Sequence, residues 1–298
     1  MNLLIIGSKG FIGSHCLNYF RTKGHVVVGC DIAESDEENY FSYNSFKGDF
    51  NALFNSRKFD ACINAAGSAN VAYSFTYPEK DFQLNVSLVI DIMAAIKVNS
   101  PHCKFINFSS AAVYGNPSQL PIKEYAELKP LSPYGYHKML SEKLLTEYHR
   151  FFNLATCSLR VFSAYGPGLR KQLFWDLYQK SLSSDEIHLF GTGKESRDFI
   201  YIDDLVSAVD IVLQHASFRG ECINVSSGIE TEVSEAADVF INHYAPGKRV
   251  VFDGIQKQGD PVNWRSDIDQ LYALGFEAKV NLCEGLKSVA DWLKNEKI

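Results

Sequence analysis

Tyrosine, lysine and serine are the residue types here that could move a proton to or from a hydroxyl. In "SPYGYHKMLSEKLL", Ser132 to Leu145, Tyr134 stands four residues before Lys138. That is one helical turn, so the two side chains share a face. A free phenol ionises near pH ~10, and a neighbouring cation favours the phenolate. Spacing alone does not single the pair out, because Tyr-x-x-x-Lys occurs five times: Tyr19/Lys23, Tyr43/Lys47, Tyr125/Lys129, Tyr134/Lys138 and Tyr244/Lys248. Tyr136 has Leu140 as its i+4 neighbour and points about 200° away from Tyr134 around the helix. Ser109 and Ser110 end the apolar run "CKFINFSS". Open parallel sheets hold ligands beyond such strand ends.

A second constellation suits a phosphate ligand. Gly7, Gly10 and Gly13 form G-x-x-G-x-x-G directly after "NLLIIG" and across the start of "GFIGSHCLNYFRTKG", with Phe11 and Ile12 inside it. Glycines there allow a tight turn, close approach of backbone to a pyrophosphate and close helix–strand packing. The helix N-terminus offers free N–H groups to the phosphates. The spacing departs by one residue from G-x-G-x-x-G. Asp31 ends the second strand, 18 residues after Gly13. A carboxylate there accepts both ribose hydroxyls of NAD and repels the 2′-phosphate of NADP. Ile32 and Ala33 follow it and supply no cation. Asp49, in "KGDF", is placed either to meet the adenine amino group or to cap the next helix.

These residues need elements to position them. "NLLIIG", "HVVVGCD", "DACINAAG", "CKFINFSS" and "ATCSLRVFS" read as strands. Between them, "GFIGSHCLNYFRTKG", Asp81 to Val98 and Tyr134 to Phe151 read as helices. Near-continuous apolar strands alternating with amphipathic helices predict an α/β chain with a doubly wound, Rossmann-type parallel sheet. After Gly166-Pro167 the pattern becomes less regular. This predicts a boundary near residue 165: a cofactor-binding domain over 1–165 and a smaller α/β substrate-binding domain mainly over 166–298, with later segments crossing back.

The bulk numbers exclude other classes. A chain of 298 residues, 46% hydrophobic and 21% charged, can bury a full core as a soluble protein. A net charge of −6 carries no basic footprint for nucleic acid. No run of 18 apolar residues predicts a membrane span, and the N-terminus lacks the basic region of a signal peptide. Cys16, Cys30, Cys62, Cys103, Cys157, Cys222 and Cys283 are scattered. They read as buried thiols of an intracellular protein. The eight histidines show no metal-ligand spacing, so no metal is expected. The acidic "ESDEEN", Glu34 to Asn39, reads as a solvated loop.

Five motifs stand in order: G-x-x-G-x-x-G, S-S-x-x-V-Y-G (Ser109 to Gly115), S-P-Y-x-x-x-K, "LRVFSAYGPG" and "RDFIYIDD". With the late "GD....R.D...L..LGF" pattern from Gly259 to Phe276, they resemble an extended short-chain dehydrogenase/reductase. The resemblance is to its NAD-dependent nucleotide-sugar epimerases and dehydratases, closest in pattern to UDP-glucose 4-epimerase. It runs from residue 1 to about 290. The resemblance implies Tyr134 as acid/base, Lys138 as its cation and a holder of the nicotinamide ribose, and Ser110 as the hydroxyl that meets the reacting sugar oxygen. Ser109 matches a neighbouring support position. The implied cofactor is NAD, bound by Gly7, Gly10, Phe11, Ile12, Gly13, Asp31, Asp49, Ala65, Ala66 and Lys138. The implied substrate is a nucleotide-diphosphate sugar held by Ser110, Tyr134, Ser163, Arg197, Lys257 and Asp260.

Departures from the family pattern sort its branches. Dehydratases that look like this chain carry an acidic pair after the serine; here the positions are Ala111 and Ala112. Without those carboxylates, dehydration lacks its usual acid and base. The expected reaction is epimerisation at C4 of the sugar through a 4-keto intermediate. The rival is a reductase of a nucleotide 4-keto-deoxysugar that uses the same residues. Another rival is a non-catalytic NAD-binding protein, which would not need Ser110, Tyr134 and Lys138 together. Lys257 replaces a second arginine, Ser163 an asparagine and Asn64 a histidine. Arg197 would grip the diphosphate as a bidentate donor, unless it pairs with Asp198 or Asp203. Trp264 falls where hexose 4-epimerases gate an N-acetyl group. The helices over 81–98 and 134–151 match those that form a dimer interface in the family; Leu88, Ile92 and Phe151 are compatible with contacts there or equally with simple core burial. A cytoplasmic homodimer is expected.

Overall fold

Leu3, Leu4, Ile5 and Ile6 are fully buried in the computed structural model, which describes residues 1–43 and 50–296. No face of that strand meets water, so the period-two pattern of a half-exposed strand is missing and a continuous apolar run takes its place. The strands are β1 (Asn2–Ile6), β2 (Val26–Asp31), β3 (Tyr40–Ser42), β4 (Ala61–Asn64), β5 (Lys104–Ser110), β6 (Thr156–Val161), β7 (Ser163–Tyr165), β8 (Glu186–Leu189), β9 (Ser196–Tyr201), β10 (Arg219–Val225), β11 (Glu230–Glu232) and β12 (Arg249–Phe252). The helices are α1 (Phe11–Thr22), α2 (Phe50–Ser56), α3 (Val71–Thr76), α4 (Pro78–Phe82), α5 (Leu88–Asn99), α6 (Pro133–Phe152), α7 (Gln172–Ser181), α8 (Ile202–His215), α9 (Val233–Tyr244), α10 (Asp269–Ala273) and α11 (Leu282–Asn295).

Among the described residues, seven strands form one sheet in the order β10-β6-β5-β4-β1-β2-β3, and every pairing in it is parallel. This is a Rossmann-type doubly wound fold. The chain leaves β1 toward β2 and β3, then returns to β4 on the other side of β1. The strand order therefore reverses between β1 and β4, and a crevice opens there at the carboxyl ends. The glycine turn follows β1 and Ala65-Ala66 follows β4, so both lie at that crevice. β10 belongs to the large sheet although it comes after residue 166. The remaining strands form a three-stranded sheet, β11-β9-β7, and a β12-β8 pair.

One helix differs from expectation. The segment read as one helix from Asp81 starts earlier, at Pro78, and changes pitch: α4 runs into a π turn over Gln83–Ser87 before α5 begins. Such a turn inserts a residue into the helical ladder and rotates the side chains that follow. Leu88 and Ile92 thereby face the core, so neither is free for a partner subunit. Phe151 does lie exposed, with Ile90, Val98 and Phe152. No described helix is long and apolar enough to cross a membrane.

The cysteines are all free. Cys283 is exposed and Cys222 half-buried, which corrects the expectation that all seven are buried. Among the described residues, no cluster of His, Cys, Asp or Glu could hold a metal.

Candidate active site

The glycine turn is sterically obligatory. Gly7 has φ +81°, and a Cβ on it would lie 2.5 Å from the Ala66 nitrogen. A Cβ on Gly13 would lie 2.0 Å from the Gly7 carbonyl oxygen. Gly10 precedes α1 with no side chain capping the helix, so its first amides remain available to an anion. Phe11 and Ile12 open that helix. Gly13→Ala is expected to force the turn apart and weaken NAD binding at least about tenfold, ~1.4 kcal/mol. Fluorescence titration checks this; an unchanged Kd would refute the cradle.

Asp31 sits at the carboxyl end of β2, beside that turn. Its Oδ2 accepts from the Lys9 amide at 2.8 Å and its Oδ1 from the Ile32 amide at 2.7 Å. The fold brings in cations that the local sequence lacks. The Lys9 ammonium lies 2.5 Å from Glu37, and Arg21 lies 3.4 Å from the same carboxylate. "ESDEEN" is an exposed loop, as expected, and within it Glu37 pairs with both Lys9 and Arg21. Asp49 lies outside the described residues. The cradle, the uncapped helix and Asp31 together fit a dinucleotide. So does Asn85 in the π turn, whose buried side-chain amide has no hydrogen-bond partner.

Ser110, Tyr134 and Lys138 meet at the carboxyl end of β5. Ser132 caps α6 by accepting from the Gly135 amide at 3.2 Å, and Pro133 occupies the first turn. This cap, with Pro pre-set for the helix, fixes where Tyr134 enters. Tyr134 and Lys138 are both buried, with the lysine nitrogen 5.9 Å from the tyrosine ring centroid. The Lys138 ammonium donates to the Phe108 carbonyl at 2.9 Å. Ser110 hydrogen-bonds Tyr134, and its oxygen accepts from the Ala112 amide at 3.1 Å.

The electrostatics correct one expectation. Tyr134 is pushed up to about 12, chiefly by burial; the Ser110 hydrogen bond opposes the rise and Asp81 adds to it. Lys138 is not among the causes. Lys138 itself is pushed down to about 8, again by burial first, with Asp81 and Glu142 opposing and Lys171 adding to the fall. Desolvation outweighs the helical pairing that spacing suggested. The phenol therefore needs a further positive charge to act as a base near neutrality. The other tyrosine–lysine pairs have different settings: Tyr125 is 83% exposed, and the Tyr19 hydroxyl is spent on Asp210 at 3.0 Å. Tyr136 is also exposed.

A buried polar network supports the site, and sequence reasoning missed most of it. The Ser109 hydroxyl donates to Glu142 at 2.5 Å. Arg160, on β6, grips Glu142 with two bonds of 2.9 and 2.8 Å. Its other nitrogen donates to the Tyr114 hydroxyl at 2.8 Å, which donates to Asn224 at 2.6 Å. The signal was legible as a charge inside an apolar strand, "LRVFS", and a glutamate one turn beyond Lys138. Buried charges must find partners. Asp81 and His137, 2.6 Å apart, were also missed. Asn64, standing where the family carries histidine, donates to Asn107 at 2.9 Å and accepts from the Ala66 amide at 3.2 Å.

The expected substrate residues are placed less tightly. Arg197, on β9, stacks over Trp264 at 5.7 Å and donates to the Ser196 and Val262 carbonyls. Burial lowers its pKa, with Asp260 opposing. It pairs with neither alternative partner. Asp198 accepts from the Ser227, Gly228 and Ser266 amides; Asp203 is exposed, 4.0 Å from His15. Ser163 begins β7, and Lys257 is exposed. Trp264 is buried against Phe162 and donates its indole N–H to Gly115 at 2.9 Å. It thus anchors the 264 segment to the turn after β5.

Comparison with known proteins fits this geometry. The model of a family described as the NAD dependent epimerase/dehydratase family matches residues 3–226. The chain is 27% identical over 304 residues to a putative UDP-glucose 4-epimerase of Methanocaldococcus jannaschii, covering 98% of each chain. It is 25% identical to a UDP-glucose 4-epimerase of Mycolicibacterium smegmatis, covering 99% of each. The crystal structure of a UDP-glucuronic acid 4-epimerase from Bacillus cereus, in complex with UDP-glucuronic acid and NAD, aligns with a TM-score of 0.88 at 26% identity over 99% of each chain.

Proposed function

This chain belongs to the NAD dependent epimerase/dehydratase family, and from that premise we propose that it is a UDP-sugar 4-epimerase. The observation that carries the reading is the Ser110–Tyr134–Lys138 group at the end of β5, with Tyr134 and Lys138 buried and Ser110 half-buried, followed by Ala111 and Ala112 where a dehydratase needs carboxylates. That group can move one proton at one hydroxyl and holds no second acid to expel water. Tyr134 takes the proton of the sugar's 4-hydroxyl and returns it after the keto sugar has turned over. Ser110 holds the same oxygen and shares the proton. Lys138 supplies a cation beside the phenol and holds the nicotinamide ribose. When bound, NAD supplies reversible hydride acceptance and the positive charge that the phenol needs.

Arg197 and Lys257 would balance the diphosphate, with Asp260 on the nucleotide ribose and Ser163 on the diphosphate or sugar. Residues 1–165 with the returning β10 would form the cofactor domain, and the rest of 166–298 would bind the nucleotide sugar. A cytoplasmic homodimer fits the exposed Phe151, Phe152, Ile90 and Val98 on α5 and α6. The test is to offer the purified protein UDP-glucose, UDP-glucuronate and UDP-N-acetylglucosamine and to follow interconversion by NMR. Conversion without added NADH supports the epimerase. Product formed from a 4-keto sugar only with stoichiometric NADH would replace it with the reductase.

A further inference from the structure

Lys9 stands inside the glycine turn and meets the end of β2 twice. Its amide donates to Asp31 Oδ2 at 2.8 Å. Its ammonium reaches over the loop that follows Asp31. There it lies 3.4 Å from the Ser35 hydroxyl, 5.0 Å over the Tyr40 ring and 2.5 Å from Glu37 Oε1. The Tyr40 hydroxyl donates to the Ala33 carbonyl, so the ring under the ammonium is tied to the same loop. Arg21, in the last turn of α1, turns both terminal nitrogens to Glu37 Oε2, at 3.5 and 3.4 Å. At the loop's other end Arg57 donates to the Asn39 side chain at 3.0 Å. One carboxylate thus receives two cations, one on each oxygen. The Lys9 hydrogen bond holds that carboxyl below the usual carboxylate range, so it is an anion at neutral pH.

Exposed ion pairs add little to stability, and Glu37 is exposed. Its effect falls on the charge offered to a ligand. An acid at the end of this strand accepts the ribose hydroxyls of NAD, and the 2′-phosphate of NADP would sit on one of those hydroxyls. An arginine near the ribose accommodates such a phosphate, and a lysine binds phosphate as a point charge. Here the lysine whose backbone grips Asp31 has its ammonium occupied by Glu37.

We propose that Glu37 is a specificity-determining residue for the cofactor: by holding Lys9 and Arg21 it withholds both cations from a 2′-phosphate and keeps the site selective for NAD. Cofactor choice lies beyond the epimerase reading and does not depend on it. Asp31 and Glu37 balance Lys9 and Arg21, so these four side chains offer a 2′-phosphate no net positive charge. To gain either cation the phosphate must expel Glu37 or lie beside it, and like charges so close repel. With Glu37 neutral, one positive charge is left over and Lys9 can swing to the phosphate. Asp31 still receives the ribose hydroxyls of NAD, so NAD loses nothing.

The experiment is fluorescence titration with NADH and with NADPH of the wild type, E37Q, E38Q and the K9M/R21M/E37Q triple variant. Binding is read and not turnover, so the outcome stands whether or not the chain interconverts a UDP-sugar. The wild type is expected to prefer NADH. E37Q is expected to bind NADPH about tenfold more tightly than the wild type does, with Kd for NADH within about twofold. That gain should fade as salt is raised toward about 0.5 M, because exposed charges are screened. Glu38 is exposed in the same loop and makes neither ion pair. E38Q removes the same charge and should leave the ratio of the two Kd values near that of wild type. The triple variant should lose the gain, since both cations are gone while the amide at position 9 still holds Asp31. A wild type that binds the two nucleotides alike would overturn the proposal. So would an E37Q ratio equal to that of the wild type or of E38Q, or a gain that survives in the triple variant.

Discussion

Replacing Tyr134 with phenylalanine is expected to lower kcat by about 10²–10⁴-fold, the range for loss of a positioned general acid/base. KM for the nucleotide sugar should change little. The phenol is buried and contributes one hydroxyl to the chemistry; the ring that fills its space stays. The change removes the hydrogen bond with Ser110 and the phenol to which the proposed function gives the substrate's proton. It leaves Lys138 on the Phe108 carbonyl and the glycine cradle untouched, so NAD affinity and Tm should hold. NMR turnover rates, a cofactor titration and a melting curve together check the prediction. Retention of more than about a tenth of wild-type kcat would sink the assignment, because proton transfer by another route would then suffice.

Glu142→Ala is expected to destabilise the fold by about 3–5 kcal/mol, the range for breaking a buried ion pair from one side. Glu142 and Arg160 are 3% and 4% exposed, so water cannot replace the lost partner. Arg160 would keep its bonds to Tyr114 and to the Glu124 carbonyl but would carry an uncompensated charge. Ser109 would lose its acceptor next to Ser110. Tm should fall on the order of 10 °C, and kcat should fall as well. Removing both charges together, as Glu142→Leu with Arg160→Met, should recover much of the stability, because well-packed apolar side chains can replace a buried pair. Thermal and urea unfolding of the three proteins test this. A single variant melting within about 2 °C of wild type would show that the network carries little of the fold.

The two predictions fall on different sides of what a sequence reader can see. Tyr134, Lys138 and Ser110 were legible as candidates because five short motifs stand in one order that resembles a family, and the glycines because they follow a strand and open a helix. A four-residue step sets two side chains on one helical face, and a strand, a turn and three glycines make a cradle wherever they fold. The parallel sheet was legible for a similar reason, since a strand covered on both faces must be apolar throughout. The Glu142–Arg160–Tyr114–Asn224 chain was not, because its members come from a helix, a strand, a turn and the returning β10. Whether Leu88 and Ile92 face a partner or the core was not legible, because the π turn ahead of them shifts the helical phase; they face the core. The field at Tyr134 was misread because spacing reports who stands beside whom and not how much water is left.

The sequence by itself determined the glycine cradle and the alternation of strands and helices along the first half of the chain, since these follow from short-range steric and hydrogen-bonding rules, and its resemblance to a known family implied the class of chemistry. Only the tertiary structure decided that Arg197 stands clear of Asp198 and Asp203, that Glu37 holds Lys9 and Arg21, and that Asp81 and His137 come within 2.6 Å of each other. Those outcomes depend on distances between residues far apart in the chain. They also depend on burial, which sets how strongly any charge is felt.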